Sequence, residues 1–283
     1  MKFVSFEHAG QASYGLLRGD EIVDLGGRLR TEAPTLKALI ATGRLHAAGA
    51  KYANAPADHR LADVALLPVI PDPGTIACVG HNYEAHRVET QRPPTEHPSI
   101  FFRHPESLLG AGQPLVRPRE TEQLDFEGEL AVVIGKAGRR IAQEQAWEHI
   151  AGVACFNEGS VRDWQYHTSQ FGPGKNFPGT GAFGPCLVTL DELPANRVVS
   201  LATRVNGEVM QQAATDQMIF PIPRVVAYVS TFITLQPGDV IVTGTPGGVG
   251  VKRKPPVFLQ PGDVVEVEIS HVGLLRNVVR AEA

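Results

Sequence analysis

Cysteine is scarce in this chain, and its spacing forms no motif. The three cysteines of the 283-residue sequence, Cys78, Cys155 and Cys186, are odd in number and include no C-x-x-C pair. The sequence therefore supports neither a disulfide framework nor a zinc knuckle as the basis of the fold. We expect buried, reduced thiols in a chain that is long enough to be held together by its hydrophobic core.

Long basic runs and long apolar runs are also missing. The 26 lysines and arginines are outnumbered by 30 acids, for a net charge of −4. Without a basic cluster the chain is not expected to bind nucleic acid. No apolar stretch approaches the roughly 18 residues of a membrane-spanning helix, and polar residues interrupt the N-terminus before a signal-peptide core can form. We therefore expect a cytoplasmic protein that does not associate with membranes.

Glycine and proline, by contrast, are abundant, with 29 and 22 residues. This composition predicts many turns and a β-rich chain. A stretch of closely spaced breakers at 67–74 is interpreted as a linker. We therefore expect a small N-terminal α/β domain at 1–68 and a larger, β-rich domain at 69–283.

Hydrophobic periodicity predicts short strands and few helices in both domains. In the N-terminal domain the strands are expected at 2–6, 14–18 and 21–25 and a helix at 36–41. In the larger domain the strands are expected at 75–79, 130–134, 187–190, 198–206, 240–243 and 264–269, and helices at 144–150 and 225–232. Two Pro-Gly-Asp turns, at 237–239 and 261–263, each lead into one of these strands.

The segment 124–130 has an acid at every second position, namely Asp125, Glu127 and Glu129. In an extended strand these side chains share a face, and the apolar run at 131–134 is typical of a strand buried on both sides. Like charges in a partly dry site require protonation or a cation, and oxygen ligands suit Mg²⁺ or Mn²⁺. The alternative is the solvated face of a half-exposed strand.

A second candidate site lies between residues 79 and 89. If 83–89 forms a helical turn, His86 and Glu89 stand at i and i+3, where the carboxylate can orient the imidazole as a base for water. An exposed helix with an incidental His and Glu is the alternative. The glycine-rich loop 243–250 lacks the lysine of a P-loop, so we interpret it as a pocket wall with Thr245 as a hydrogen-bond donor.

Several motifs in series point to one family. They are DFEGELAVVIGKAGRRI, FNEGSVRDWQ, GPGKNFPGTGAFGP, VNGEVMQ, LQPGDVIVTGTPGGVG and LQPGDVVEVEI. They occur in this order between residues 125 and 269, and they resemble the fumarylacetoacetate hydrolase family, with a resemblance that covers roughly residues 74–279. The resemblance implies an α+β chain whose catalytic domain is a mixed β-sandwich or β-roll of that type, and a homodimer.

The resemblance also implies a ligand set for one divalent metal per subunit, Mg²⁺ or Mn²⁺. Its E-x-E pair and later acid correspond to Glu127, Glu129 and Glu158. The sequence departs from the pattern at Glu158, where the family commonly has Asp, so the carboxylate is kept with one extra methylene. Asp125 matches an acidic position that need not touch the metal.

Further site residues follow from the same resemblance. His86 and Glu89 match a lid motif N-Y-x-x-H-x-x-E, and His81 stands where an apolar or basic residue is more common. Lys175 matches an active-site lysine and is expected to hold a substrate oxyanion, although a lysine on such a loop is ordinarily a solvated surface charge. The residues expected around the substrate are Arg103, Arg162, Gln165 and Thr245.

These features predict a metal-dependent hydrolase of a carbon–carbon bond in a 2,4-diketo acid of the acylpyruvate or fumarylpyruvate kind. We expect it to act in the breakdown of aromatic or related compounds. The same site would also serve a decarboxylase or an isomerase of a 2-oxo acid. A metal-binding or ligand-binding protein with little catalysis is the remaining alternative.

Overall fold

The structure is a computed structural model that describes residues 1–283. The first strands are β1 (Lys2–His8), β2 (Gln11–Arg18), β3 (Glu21–Asp24), β4 (His59–Arg60), β5 (Ala65–Leu66), β6 (Ile76–Gly80), β7 (Ser99–Arg103), β8 (Leu108–Leu109), β9 (Leu115–Arg117) and β10 (Leu124–Asp125). The later strands are β11 (Gly128–Ile134), β12 (Ile150–Glu158), β13 (Ser160–Val161), β14 (Gly181–Val188), β15 (Ser200–Val205), β16 (Glu208–Ala214), β17 (Val240–Val242), β18 (Val264–Ile269) and β19 (Gly273–Ala281).

The helices are few and mostly short. The α-helices are α1 (Leu25–Arg28), α2 (Leu36–Ala41), α3 (Leu45–Tyr52), α4 (Glu84–Glu89), α5 (Arg162–Gln165), α6 (Gly172–Lys175) and α7 (Ile222–Phe232). The 3₁₀ helices are Leu61–Asp63, Pro105–Ser107, Gln143–His149, Leu190–Glu192, Thr215–Gln217 and Gly250–Lys252. None of these helices combines the length and the apolar composition needed to cross a lipid bilayer.

One mixed sheet of 12 strands forms the centre of the molecule. Its main path has the order β4-β3-β2-β1-β14-β12-β11-β17-β6-β7, with β5 paired to β1 and β8 paired to β14. A second sheet has the order β16-β15-β18-β19-β9, and β10 pairs with β13. This arrangement confirms the predicted α+β, β-rich class.

Strand β11 shows why the sequence at its centre is uninterrupted and apolar. Leu130, Val132 and Ile134 belong to the larger hydrophobic cluster, whereas Ala131 and Val133 belong to the smaller one that α2 and α3 help to form. Successive side chains point to opposite faces of a strand, so both faces of the sheet are covered here. The prediction of burial on both sides is therefore confirmed.

The central sheet runs across the predicted domain boundary. Strand β1 pairs in antiparallel fashion with β14, as Lys2 with Val188 and Phe3 with Leu187. The predicted linker contains no helix or strand, but Val69 and Ile70 within it are buried. The division at residues 68 and 69 stays a prediction, and its two parts share one sheet. The three cysteines are free and buried, as expected.

Most predicted elements are present, with two kinds of difference. The helix expected at 225–232 begins three residues earlier, and its buried residues follow helical spacing from Ile222 through Val225 and Val226 to Val229. The helix expected at 144–150 is a 3₁₀ helix instead. Of the longer strands, β7, β12, β16 and β19 were not predicted. In β12 the glycine and alanine residues hide the strand pattern, and in β19 the charged residues do.

The two Pro-Gly-Asp segments form equivalent turns. Gly238 and Gly262 have φ values of +86° and +98°, which glycine adopts without steric cost. In each turn the aspartate accepts a hydrogen bond from a backbone N–H three residues earlier, Asp239 from Gln236 and Asp263 from Gln260, both at 2.7 Å. The turn chemistry predicted from sequence is therefore confirmed.

Asn82 fixes the segment that leads into α4. Its side chain is fully buried and donates to the carbonyls of Phe220 and Thr243 at 3.1 and 2.7 Å. It also accepts from the N–H of Phe220 at 2.8 Å. Three main-chain groups of two distant segments therefore depend on one amide.

We expect Asn82→Ala to lower the free energy of unfolding by at least about 2 kcal/mol, because it leaves buried polar groups without partners. Urea unfolding followed by circular dichroism measures this change. The control is Asn54→Ala at an exposed position, where the change should stay within about 0.5 kcal/mol. Equal unfolding midpoints for the two variants would contradict the structural role of Asn82.

Candidate metal centre and active site

Two neighbouring strands bring three acids to one place. Strands β11 and β12 are antiparallel, with Glu129 opposite Phe156. Two residues beyond, the Glu158 N–H donates to the carbonyl of Glu127 at 2.8 Å. Alternate residues and directly paired residues share a face of a sheet. The register therefore places Glu127, Glu129 and Glu158 together.

The three carboxylates form a buried cluster. Their side chains are 4%, 1% and 2% exposed for Glu127, Glu129 and Glu158, and one oxygen of each lies within 4.8 Å of the others. Burial raises the pKa of Glu129 well above its usual range, and the adjacent charges of Glu158 and Glu127 raise it further. A cation among the carboxylates would relieve this repulsion.

Two cations of the chain neutralise part of the cluster. The Lys175 ammonium donates to Glu127 Oε2 at 2.6 Å and to Glu158 Oε2 at 2.8 Å, and Arg162 Nη2 lies 2.7 Å from Glu127 Oε1. Burial disfavours the charged form of Glu127, but Lys175 and Arg162 outweigh it and hold its pKa far below the usual range. Burial also opposes the charge on Lys175, yet Glu127 and Glu158 raise its pKa.

Lys175 is therefore not the solvated surface charge of an ordinary loop lysine. It ends the short helix α6, is 2% exposed and lies at the bottom of the pocket. An ammonium group has three N–H donors, and the acids of the cluster use two of them. The third donor has no acceptor in the structure and is available to a ligand.

The carboxylates fit a divalent cation. All donors are oxygen, and one of them, the buried Glu158 Oε1, has no hydrogen-bond partner. Buried polar atoms are rarely left unpaired, and hard oxygen ligands of this kind suit Mg²⁺ or Mn²⁺. The cluster is placed to hold such an ion. The extra methylene of Glu158 does not prevent its carboxylate from reaching the other two.

Asp125 does not join the cluster. Segment 124–130 is not one continuous strand, since β10 ends at Asp125 and β11 begins three residues later. The Asp125 carboxylate accepts from the N–H groups of Gly250 and Val251 at 2.8 and 2.9 Å and pairs with Arg162 at 2.8 Å. The expectation that all three alternating acids share one face is therefore wrong for Asp125.

Helix α4 carries the predicted His and Glu pair. His86 Nδ1 lies 2.7 Å from Glu89 Oε1, and Glu89 Oε2 accepts from the N–H of Gly248 at 2.9 Å. His86 is 6% exposed and lines the same pocket as the three acids. When the Nδ1–H is donated to Glu89, Nε2 is left to exchange a proton with a ligand.

The pocket has a volume of about 90 Å³, and its walls are partly aromatic. Phe101 and Phe171 meet edge to face with ring centroids 5.6 Å apart. His81 has a φ of 56° and stacks on His86 with ring centroids 5.3 Å apart. Burial and the neighbouring His86 and Arg92 lower the pKa of His81 to about 4. His81 is therefore neutral at pH 7.

Three of the four predicted substrate-binding residues line the pocket. Arg162 Nη1 donates to Gln165 Oε1 at 2.8 Å, which leaves the amide N–H groups of Gln165 free. The Thr245 hydroxyl donates to the carbonyl of Gly128 at 3.0 Å and accepts from Gln211 at 2.7 Å. A hydroxyl has one hydrogen, so Thr245 can offer a ligand only an acceptor, not the donor expected from sequence.

Arg103, the fourth, lies behind the carboxylates and does not line the pocket. Its guanidinium donates to Ser107 Oγ at 3.2 Å, to the carbonyl of Gly159 at 3.2 Å and to Thr180 Oγ1 at 2.8 Å. Its Nη1 is 3.9 Å from Glu158 Oε1. These contacts place Arg103 next to Glu158 and outside the lining of the pocket.

Two further cations line the pocket that no sequence motif identified, Arg92 and Lys252. Arg92 follows α4 in a polar stretch, and Lys252 begins the triplet Lys-Arg-Lys at 252–254. Nothing in the sequence distinguishes Lys252 from Lys254, which does not line the pocket. Only the folded structure shows which of the two lysines lines the pocket.

Comparison with known proteins gives the same family over most of the chain. Residues 75–280 match the family model described as the C-terminal domain of fumarylacetoacetate (FAA) hydrolase. The chain is 38% identical over 301 aligned residues to the oxaloacetate tautomerase YisK of Bacillus subtilis, and the match covers 99% of this chain and 100% of that protein.

Solved structures show the same fold along the whole chain. A fumarylacetoacetate hydrolase from Exiguobacterium antarcticum is 37% identical, with a TM-score of 0.85 and full coverage of both chains. A maleylpyruvate hydrolase from Sphingobium sp. SYK-6 is 28% identical, with a TM-score of 0.83 and full coverage of both chains. The latter structure is a complex with manganese(II) ion and pyruvate.

We expect Glu158→Gln to raise the dissociation constant for Mn²⁺ by at least about tenfold, because it removes one of three negative donors. Glu158→Asp keeps the charge and should keep binding. Calorimetric titration of Mn²⁺ into the metal-stripped protein measures both, with Glu122→Gln at an exposed acid as the control. Parental affinity in Glu158→Gln would remove Glu158 from the ligand set.

Proposed function

The chain belongs to the fumarylacetoacetate hydrolase family, and on that premise we propose that it catalyses keto–enol tautomerisation of a small 2-oxo dicarboxylic acid such as oxaloacetate. The full-length similarity to the tautomerase of Bacillus subtilis carries this proposal. The small pocket, with His86 beside three carboxylates, supports it. The proposal thus favours an isomerase, which the sequence left open as an alternative to hydrolysis.

Keto–enol tautomerisation requires few catalytic groups. A base removes a proton from the carbon next to the carbonyl, the electron pair moves onto the carbonyl oxygen, and a proton is delivered to that oxygen. Neither a nucleophilic water nor a leaving group is involved. One positioned base and several donors near the developing oxyanion are sufficient.

His86 is suited to the proton transfers. Glu89 receives the Nδ1–H, which fixes the ring and stabilises the protonated imidazole that forms when Nε2 takes a proton. The backbone N–H of Gly248 holds Glu89 in turn. His81, neutral and stacked on His86, adds no charge that would oppose this protonation.

Glu127, Glu129 and Glu158 would hold the divalent cation. When bound, that cation supplies positive charge to the oxygens of a 2-oxo acid. The free N–H of Lys175 and the free amide N–H groups of Gln165 offer further donors in the same pocket. These groups bind and orient the substrate oxygens. Lys175 also carries a full positive charge, which stabilises the negative charge of an enolate.

Cleavage of a carbon–carbon bond in a 2,4-diketo acid is the second candidate. The observation that favours it is the dyad itself, since a base positioned by a carboxylate can equally deprotonate water. The likeness to the maleylpyruvate hydrolase of Sphingobium supports it as well. Binding without catalysis is disfavoured by the intact His86, Glu89 and Lys175. We also propose a homodimer and a cytoplasmic location, as predicted from sequence.

We expect the Mn²⁺-loaded protein to accelerate the conversion of enol-oxaloacetate to its keto form, followed by the loss of enol absorbance. The matched measurement is hydrolysis of a panel of 2,4-diketo acids under the same conditions. Rapid tautomerisation with no hydrolysis supports the first candidate, and the reverse supports the second. Neither reaction above the uncatalysed rate would contradict both.

We expect His86→Ala to lower kcat for tautomerisation by about 10²-fold or more, the usual contribution of a positioned base. The dissociation constant for Mn²⁺ should change little, because His86 is not in the carboxylate cluster. His149→Ala is the control, since His149 lies outside the pocket. A parental rate in His86→Ala would assign the proton transfer to another group.

A further inference from the structure

Charge is unevenly distributed in the pocket. At its base, every cation has an acid as partner, Lys175 with Glu127 and Glu158, and Arg162 with Asp125 and Glu127. These ion pairs leave the base of the pocket to the carboxylate cluster and the cation that it would hold. No cation of the chain at the base of the pocket is therefore left without an acidic partner for a second carboxylate of the substrate.

Arg92 and Lys252 differ from those cations. Both line the pocket and both are exposed. Neither side chain forms an ion pair with any acid of the chain, while the neighbouring Arg87 pairs with Glu84. Arg92 is also among the charges that lower the pKa of His81, after burial and His86. Two uncompensated positive charges thus face the pocket from its exposed side.

The backbones that carry these two side chains are held in place. Lys252 ends the 3₁₀ helix Gly250–Lys252, whose first two N–H groups donate to Asp125. The N–H of Arg92 donates to the carbonyl of Arg87 at 3.0 Å, and Arg87 Nη1 donates back to the carbonyl of Arg92 at 2.5 Å. The side chains of Arg92 and Lys252 are therefore exposed, but their backbones hold them beside the pocket, where no acidic residue of the chain pairs with them.

We propose that Arg92 and Lys252 bind the distal carboxylate of the substrate and thereby select 2-oxo dicarboxylates over 2-oxo monocarboxylates. This inference rests on the proposed function and identifies the residues that would set its substrate class. The 2-oxo acid end of the ligand occupies the base of the pocket. A second carboxylate at the other end meets two cations that no group of the protein satisfies.

A pair of 2-oxo acids that are already at keto–enol equilibrium tests this selection by binding alone, without net turnover. 2-Oxoglutarate and 2-oxovalerate have the same five-carbon chain, and they differ in a carboxylate or a methyl group at the far end. Calorimetric titration into the Mn²⁺-loaded protein should give a dissociation constant about tenfold or more lower for 2-oxoglutarate. Because both cations are exposed, added salt should reduce this preference.

The double variant Arg92→Met/Lys252→Met should lose most of the preference while its affinities for 2-oxovalerate and Mn²⁺ stay at the parental values. The control is Lys254→Met, an exposed lysine of the same triplet outside the pocket, which should keep the preference. A preference that survives in the double variant, or is absent from the parent protein, overturns the inference.

The same titrations separate this inference from the proposed reaction. If oxaloacetate is not tautomerised but the preference is present and is lost in the double variant, the reaction is wrong and the selection by Arg92 and Lys252 holds. If oxaloacetate is tautomerised and the double variant keeps the preference, only the selection is wrong.

Discussion

The burial of three carboxylates at the end of two antiparallel strands is the constraint on which the site depends. Glu127, Glu129 and Glu158 are held together by the register of β11 and β12, which the apolar residues behind them fix on both faces. Burial and mutual repulsion of the three carboxylates destabilise the folded state unless positive charge lies nearby. The positions of Lys175 and Arg162 follow from that requirement, as does the capacity of the cluster to hold a divalent ion.

Much of the fold could be predicted because local patterns agreed with the tertiary structure. The alternation at 127 and 129 and the apolar run after it describe β11 correctly, and the Pro-Gly-Asp turns needed only local chemistry. Strand β12 was missed because Gly152 weakens the strand pattern, although a Cβ at this position would meet the carbonyl oxygen of Val188 on the neighbouring strand β14. The close approach of two backbones depends on how the strands pair in the folded sheet, and the residues around position 152 do not reveal it.

The contacts of the site could be predicted where the residues lie close together in the sequence. They were harder to predict where segments that are distant in the sequence meet. His86 and Glu89 share a helical turn, so their contact follows from sequence. The role of Asp125 does not, because its partners lie at 250 and 251, on a turn more than a hundred residues away. Lys252 beside Lys254 is the same case, since identical side chains differ only in which one the turn directs to the pocket.

The position of Lys175 bears on the order in which the protein folds and binds its metal ion. Its ammonium already bridges two of the three carboxylates, so the chain can complete its fold before any ion is bound. Loading the site is then an exchange, in which the incoming ion competes with a charge that the polypeptide supplies. Folding would in this way be separate from metal binding, and the metal content of the protein would follow the supply of the ion in its surroundings.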